Sequence, residues 1–297
     1  MTLIDSQVWF QRICHPSDFS DASNIAFVHA LKLAVSANGR LTILHAGADR
    51  DVWQDFPSVR RTLERWEMLP QDSPKEATFS VGLDVQKIAT PHSDPVRDVL
   101  HYLGKHPHDL IVLATHQHDG FDRWIRKQVA EPIAQRSGEM TLFIPYKSEG
   151  FVSLESGAVC LRNVLIPVNQ SPDPQIAVDG AVSFVRALEC RGVIFTLLHV
   201  GEEDRFPEVV MSERETWQWK KIYKRGAVER QILQAADECR ADLIVMATRA
   251  RHGFLDALRG SATERIVRNS NCPVLTLPAY VGDRQLPQEP VDWRPAV

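Results

Sequence analysis

The sequence has few cysteines and lacks an apolar run long enough to cross a membrane. No apolar stretch reaches about 18 residues, the length that indicates a membrane-spanning helix. The five cysteines, at positions 14, 160, 190, 239 and 272, show no Cys-x-x-Cys spacing. This pattern is typical of a reducing compartment and argues against a disulfide scaffold or a zinc ribbon. The first residues also lack a basic and then apolar signal pattern, so we expect a cytoplasmic protein.

The sequence is also poor in the signatures of enzymes and of nucleic-acid-binding proteins. It contains no nucleophile elbow, no His-Glu-x-x-His and no complete P-loop. The net charge of -4 provides no positive field for nucleic acid or for an anionic membrane. Basic and aromatic residues do alternate over 217–221, but packing within a predicted strand explains them better than base stacking. A dedicated catalytic site is therefore not indicated.

What the sequence does contain is a series of short apolar runs that alternate with amphipathic segments. In the first half we predict strands at 10–15, 40–45, 83–88, 109–115 and 140–145, and helices at 21–35, 58–68, 95–105 and 125–136. In the second half we predict strands at 164–168, 192–199, 217–223, 242–246 and 272–277, and helices at 174–188, 227–240 and 262–269. This alternation predicts right-handed crossovers and parallel sheets.

Matching segments indicate that the chain is a tandem repeat. Leu44-His45 matches Leu198-His199, and DLIVLAT at 109–115 matches DLIVMAT at 242–248. The interval from the histidine to the aspartate is 64 residues in the first copy and 43 in the second, a deficit of 21. We therefore predict that the second copy lacks its second helix, between His199 and Trp217. The linker or the proline-rich tail is expected to cover the sheet there.

The repeat divides the chain into domains at 1–146 and 162–297, joined by a linker at 147–161. In the linker, Phe151–Leu154 and Ala158–Leu161 flank a turn that contains Gly157. This pattern predicts a β-hairpin.

One stretch, 242–278, carries the clearest chemical signal. It is predicted to form a strand, a loop, a helix and a second strand, and Gly260-Ser261 begins the helix. The first N–H groups of a helix have no partner within the helix and carry a partial positive charge, which makes them a site for phosphate. The alternative is that Gly260-Ser261 is only a turn and a helix cap.

These segments together resemble the universal stress protein family in its tandem form. The resemblance includes PSDFS between the first strand and helix, the two Leu-His strand ends, and GSATERIVRNSNCPVLTLP. It implies an α/β fold with two open parallel five-stranded sheets in the order 3-2-1-4-5 and helices on both faces, similar to adenine nucleotide alpha hydrolases. It also implies an ATP cleft at the carboxyl ends of strands 1 and 4. The final strands of the two copies are expected to pair antiparallel in an intrachain pseudo-dimer, and a homodimer of whole chains is a further option.

Nucleotide-binding members carry an acidic residue after strand 1 and a G-x2-G-x9-G-[ST] loop after strand 4. The first copy has Asp18 at the acidic position, but its loop contains Ala114, Gln117 and Lys127-Gln128, as in the branch that does not bind ATP. The second copy keeps the phosphate end of the motif and is the better candidate, with Arg249, Arg251 and His252 in the loop as phosphate ligands. The resemblance implies a site for ATP or another adenine nucleotide, with or without magnesium, at Pro167, Val168, Asn169, Val200, Met246, Ala247, Arg249, Ala250, Gly260, Ser261, Ala262 and Thr263.

Three alternatives to nucleotide binding stay open at this point. Ala247, Ala250 and Asn169 depart from the motif, so both clefts could be degenerate in a protein that acts through its surfaces. A weak nucleotide hydrolase is a second option, although no general base is identifiable. Histidines at predicted strand ends (His15, His45, His92, His116 and His118) could converge on a metal, but they have no matched carboxylate pair, and we predict no metal ligands.

Overall fold

The computed structural model describes residues 10–47, 52–90, 94–115, 130–146, 148–212, 216–250 and 262–280. The first half contains β1 (Arg12–Pro16), α1 (Asp21–Ser36), β2 (Arg40–Ala46), α2 (Val59–Arg65), β3 (Asp84–Thr90), α3 (Pro95–Lys105), β4 (Leu110–Thr115), α4 (Ala130–Ser137) and β5 (Met140–Pro145). The second half contains β6 (Asn163–Pro167), α5 (Pro174–Ala187), β7 (Ile194–Val200), β8 (Gln218–Lys224), α6 (Val228–Cys239), β9 (Leu243–Ala250), α7 (Ala262–Asn269) and β10 (Val274–Tyr280). Among these described helices, none is long and apolar enough to cross a membrane.

The strands form one ten-stranded sheet in the order β3-β2-β1-β4-β5-β10-β9-β6-β7-β8. Each half is parallel and has the predicted order 3-2-1-4-5. The halves join where β5 pairs antiparallel with β10, with Leu275 opposite Leu142. This pairing confirms the predicted pseudo-dimer, because each final strand covers an edge that the other would leave open.

Helices cover both faces of the sheet, which explains why the strands read as continuous apolar runs. One core lies between the sheet and α1, α2 and α5, and it extends across both halves. A second core lies between the opposite face and α3, α4, α6 and α7. Successive strand residues alternate between the two cores, as Leu243 and Ile244 do in β9.

The repeated aspartate of the DLIV segments has a structural role in both halves. The Oδ2 atom of Asp242 accepts hydrogen bonds from the backbone N–H groups of Arg162 (2.7 Å) and Asn163 (2.8 Å). In the first half, Oδ2 of Asp109 accepts from the N–H groups of Gln11 (3.0 Å) and Arg12 (2.8 Å). Each carboxylate therefore ties the start of its fourth strand to the start of its first.

Replacing Asp242 by alanine should lower the free energy of unfolding by roughly 1.5–3 kcal/mol, because two charge-assisted hydrogen bonds are lost together. Urea unfolding at neutral pH measures this change. The matched control is Asp204→Ala, which removes the same charge from an exposed turn and should stay within about 0.5 kcal/mol of the parent. Equal losses in the two variants would contradict the structural role.

In the described part of the segment that corresponds to α2, the second copy has no α-helix, which agrees with the 21-residue deficit. The described residues of this segment are 201–212 and 216. Their helical structure is a three-residue 3-10 turn at Glu203–Arg205. The segment supplies cover of its own, because Phe206, Val209 and Met211 pack against the core. Gln175 of α5 holds this segment through two hydrogen bonds to the backbone of Val210. The extended segment thus replaces the helix itself, and the tail beyond residue 280 lies outside the described residues.

The linker forms less β-structure than predicted. A single antiparallel bridge joins Val152 and Val159. The residues between them close a tight turn in which the Gly157 N–H donates to the Ser153 carbonyl (2.9 Å). Gly157 has a φ of 64°, and a Cβ there would come within 2.5 Å of the Trp66 ring. Hydrogen bonds from the Ser153 N–H to the Ala158 carbonyl and from the Cys160 N–H to the Phe151 carbonyl also join its two arms, so the linker is a short antiparallel turn packed on Trp66 at the end of α2.

His29 of α1 fastens this linker to the first half. Its Nε2 accepts hydrogen bonds from the N–H groups of Phe151 (3.0 Å) and Val152 (3.2 Å), so Nδ1 carries the proton and donates to the Ile25 carbonyl (2.7 Å). The Phe151 ring then packs on Phe184 of α5 at 5.8 Å. The linker therefore contacts the first helix of both halves.

Candidate functional site

The crevice in the second half opens where β6 and β9 separate. The two strands are paired at two positions, Val164 with Leu243 and Leu165 with Ile244, whereas β7 and β8 are paired at seven. Continuing this register brings Pro167 level with Met246 and Val168 level with Ala247. This crevice lies at the carboxyl ends of adjacent parallel strands, at the point where the strand order reverses, which is where ligands bind in open α/β sheets.

The predicted site residues differ in how accessible they are. Val168 and Met246 are buried, Pro167, Val200, Ala247, Ala262 and Thr263 are half-buried, and Asn169 is exposed. The Asn169 Oδ1 atom accepts from the N–H of Gln170 (2.8 Å), so its oxygen supports the local turn. Ala262 and Thr263 occupy the first turn of α7. Gly260, Ser261, Arg251 and His252 lie outside the described residues.

One secondary-structure prediction at this site was wrong. Arg249 was predicted in a loop, together with the second motif position, Ala250. Both belong to β9, which continues past Met246 and pairs Arg249 with Ala279 and Ala250 with Tyr280. Backbone pairing with β10 extends the strand by four residues that carry little apolar signal. The two alanines that replace motif glycines are therefore strand residues.

The corresponding crevice in the first half has a buried histidine beside it. His15 is fully buried between β4 and α1: its Nδ1 lies 3.0 Å from the Val112 carbonyl and its Nε2 3.2 Å from the Ser23 hydroxyl. This burial lowers the pKa of His15 to about 4. Because both ring nitrogens are engaged, His15 is not placed to bind a metal. The described residues contain no group of three or more potential metal-ligating side chains, and His92, His116 and His118 fall outside them.

An aromatic cluster covers the carboxyl end of β2, beside the first crevice. Phe19 stacks on His45 with ring centroids 4.1 Å apart, and Phe56 packs on Phe19 at 5.1 Å. Phe19 adopts a left-handed backbone conformation with a φ of 63°. The Nδ1 atom of His45 donates a hydrogen bond to the Ser17 carbonyl (2.8 Å). Asp18, the acidic motif residue, accepts hydrogen bonds from the backbone and side chain of Ser20 at the start of α1. The acidic residue therefore supports a helix cap beside the first crevice.

The second half has different residues at the positions of His15 and Phe19. Ser17 and Val168 donate equivalent backbone hydrogen bonds to Leu44 and Leu198, which aligns the two turns. In this alignment Ile166 stands in place of His15, and the exposed Gln170 stands in place of Phe19. Among the described residues, the second half therefore has no aromatic side chain at the position of Phe19, although Phe206 packs on His199 with ring centroids 5.8 Å apart. This difference is visible in the sequence when the two repeats are aligned and residue 19 is compared with residue 170.

The charged residues of α7 are already paired with their neighbours. Glu264, in its first turn, forms an ion pair with Arg268 (2.7 Å), and Arg265 forms one with Glu229 of α6 (2.5 Å). At this end of the crevice, α7 therefore offers an anion its backbone N–H groups and the Thr263 hydroxyl rather than an arginine. His199 closes the other end: it is buried, and its Nδ1 bonds the Val168 carbonyl (3.2 Å), as His45 does in the first half.

Comparison with known proteins agrees with this architecture. The sequence profile of the Universal stress protein family matches residues 10–145 and 218–278. The chain is 25% identical over 139 residues to Universal stress protein Sll1654 of Synechocystis, covering 41% of this chain and 88% of that protein. It is 40% identical over 52 residues to Universal stress protein MJ0531 of Methanocaldococcus jannaschii, covering 18% of this chain but only 31% of that protein.

Solved structures extend the match to nearly the whole chain. A universal stress protein from Archaeoglobus fulgidus superposes with a TM-score of 0.58 at 17% identity, covering 91% of this chain and 97% of that one. The Pseudomonas aeruginosa protein PA1789, described as functionally unknown, superposes with a TM-score of 0.57 at 12% identity, covering 91% and 93%. These likenesses show the fold of both halves. Together with the profile match, they show that this chain belongs to the universal stress protein family, with two copies of the family fold in tandem.

Proposed function

We propose that this protein is a cytoplasmic regulatory module that binds an adenine nucleotide, foremost ATP, through the crevice of its second half. The observation that carries the proposal is the difference between the two crevices. In the first, His15 is buried between β4 and α1 and Phe19 stacks on His45 beside it, whereas Ile166 and the exposed Gln170 stand at the same positions in the second. The second half also has Gly260-Ser261 directly before α7.

In this proposal the phosphates bind the N–H groups of Gly260, Ser261 and Ala262, beside the Thr263 hydroxyl. An unpaired helix N-terminus attracts anions through its partial positive charge. We expect Arg249 and Arg251, which precede Gly260 in the sequence, to add positive charge to the site. The base lies at the other end of the crevice, near Asn169 and the Val200 backbone, where an amide can both donate and accept hydrogen bonds.

Replacing Gly260 by lysine should weaken ATP binding by roughly ten- to a hundredfold, because a side chain there blocks the approach of phosphate to the N–H groups at the helix N-terminus and so costs a phosphate hydrogen bond. Asp18→Ala, beside the first crevice, should leave most of the affinity. Isothermal titration with ATP, with and without magnesium, measures both effects. The matched control is Gly104→Lys, where an added side chain meets nothing within 4 Å.

Two results would redirect the assignment. Equal losses from Gly260→Lys and Asp18→Ala would mean that the second half is not the binding half. An absence of binding to the parent protein at millimolar ATP would mean that Ala247, Ala250 and Asn169 mark a degenerate site, and the protein would then act through its surfaces. Phosphate release above that of a Ser261→Ala control would instead add a weak hydrolase activity at the same crevice.

A further inference from the structure

A cavity of about 680 Å³ lies between the two halves, away from both crevices. Its walls come from the end of α1, the end of α5 and the last residues of the linker. These segments precede the amino ends of β2, β7 and β6, whereas both crevices lie at carboxyl ends. The volume is within the range of small-molecule sites in proteins, about 300–1,000 Å³. The cavity is therefore large enough for a small molecule and separate from both crevices.

The two helix ends that line this cavity are structural equivalents. After α1, the N–H groups of Ala37, Asn38 and Gly39 donate to the carbonyls of Leu33, Val35 and Ala34. After α5, the N–H groups of Leu188, Glu189 and Cys190 donate in the same pattern to Phe184, Arg186 and Val185. Asn38 and Glu189 both take up left-handed backbone conformations, with φ of 47° and 54°. The cavity thus straddles the pseudo-two-fold axis that relates the two halves.

The charged side chains around the cavity are mainly basic. Lys32 of α1, Arg162 at the end of the linker and Arg191 after α5 line it, and among the described lining residues Glu189 is the single carboxylate. These cations come from three separate segments of the chain. Arg162 and Arg191 are exposed, and Lys32 is half-buried. A net excess of positive charge in a concave site raises the local concentration of anions.

From this arrangement we infer that the cavity is a binding site for a small polyanion with phosphate or carboxylate groups. Two arginines can each hold such a group through paired hydrogen bonds, while the lysine provides a point charge. Because its walls belong to both halves, an occupant would also stabilise their relative position. This gives the protein a second ligand site, independent of the crevice proposed for the nucleotide.

The test uses the full chain carrying Gly260→Glu, whose negative charge repels the polyanionic probes, so that the first turn of α7 does not compete for them. Inorganic tripolyphosphate and citrate are titrated in parallel by calorimetry, and their relative affinities distinguish phosphate from carboxylate as the preferred group. The triple variant Lys32→Ala, Arg162→Ala, Arg191→Ala should bind the tighter probe at least tenfold more weakly. The charge-matched control, Arg97→Ala, Lys105→Ala, Arg230→Ala, alters exposed positions on α3 and α6 and should bind as the parent does.

Cys190 provides a second, local readout because it lines the cavity. In a Cys160→Ser background, tripolyphosphate should slow alkylation of Cys190, as followed by mass spectrometry of its peptide. Equal affinities in the triple variant and its control, or no binding of either probe at millimolar concentration, would overturn the inference. If the parent protein binds neither probe and the triple variant is less stable than the parent, the cations only neutralise the carboxyl ends of α1 and α5. None of these three outcomes bears on ATP binding by the parent protein.

Discussion

Lowering the pH from 7 to 4.5 should reduce the free energy of unfolding by roughly 2 kcal/mol for each of two buried histidines. Burial lowers the pKa of both His15 and His29 from 6.5 to about 4. As the pH falls, the unfolded imidazoles take up protons near 6.5, whereas the folded ones stay neutral until about 4. The unfolded state therefore binds more protons between these values, and the stability that is present at pH 7 is lost through this window.

The contacts of His29 make its protonation especially unfavourable. Its Nε2 faces two backbone N–H donors, those of Phe151 and Val152, so a proton on Nε2 would place three donors together with no acceptor. We expect acid to detach the linker turn from α1 before the rest of the fold is lost. Hydrogen exchange of the Phe151 and Val152 amides at pH 5 would detect this local opening.

Urea unfolding between pH 7 and pH 4.5 tests the assignment to these two residues. His15→Gln and His29→Gln should each remove part of the pH dependence, although each variant is less stable than the parent at pH 7. His101→Gln, at an exposed position of α3, is the control and should retain the full dependence. A pH profile that is unchanged in both buried variants would show that other groups cause the acid sensitivity.

Replacing Leu275 by aspartate should destabilise the protein by about 4 kcal/mol or more, enough to separate or unfold the two halves. Leu275 is fully buried and lies opposite Leu142, which is also fully buried, where β10 meets β5. An aspartate there would place a charge without a partner at the centre of the core that both halves share. Urea unfolding followed by circular dichroism, with size-exclusion chromatography, measures the loss.

Two controls separate burial of charge from the substitution itself. Leu275→Met keeps the volume and the apolar character and should cost less than about 1.5 kcal/mol. Val210→Asp introduces the same carboxylate at a residue that is 77% exposed and should stay within about 0.5 kcal/mol of the parent. If Leu275→Asp unfolds like Val210→Asp, the antiparallel strand pair does not hold the halves together.

Much of the fold could be predicted because its signals are local and repeated. Buried parallel strands are short apolar runs, and the DLIV segments and the Leu-His ends mark the same places in both halves. The β5–β10 pairing follows from two edges that otherwise lack partners. The end of β9 was missed because Thr248, Arg249 and Ala250 carry no apolar pattern, and their strand conformation depends on the partner β10.

The candidate site was harder to predict because its decisive contacts join residues that are distant in sequence. The motif letters draw attention to Asp18 and Asn169, but the first crevice is distinguished by Phe19 and His15, through their contacts with His45 and Val112. The cover at 206–212 and the cavity between the halves also depend on tertiary packing. Neither Asn38 nor Glu189 is a glycine, so the equivalent left-handed turns carry no obvious sequence signal.

The antiparallel contact between β5 and β10 joins two parts of one covalent chain, so its occupancy does not follow mass action between separate molecules. Dilution cannot dissociate the pair, and a second copy of the same half cannot take the partner's place, because the tethered partner is always at a high effective concentration. The composition of the pair is thereby fixed as one of each kind. One half can then lose its ligand-binding crevice during evolution while the other keeps it. Because halves are not exchanged between molecules, no pair arises in which both crevices are lost.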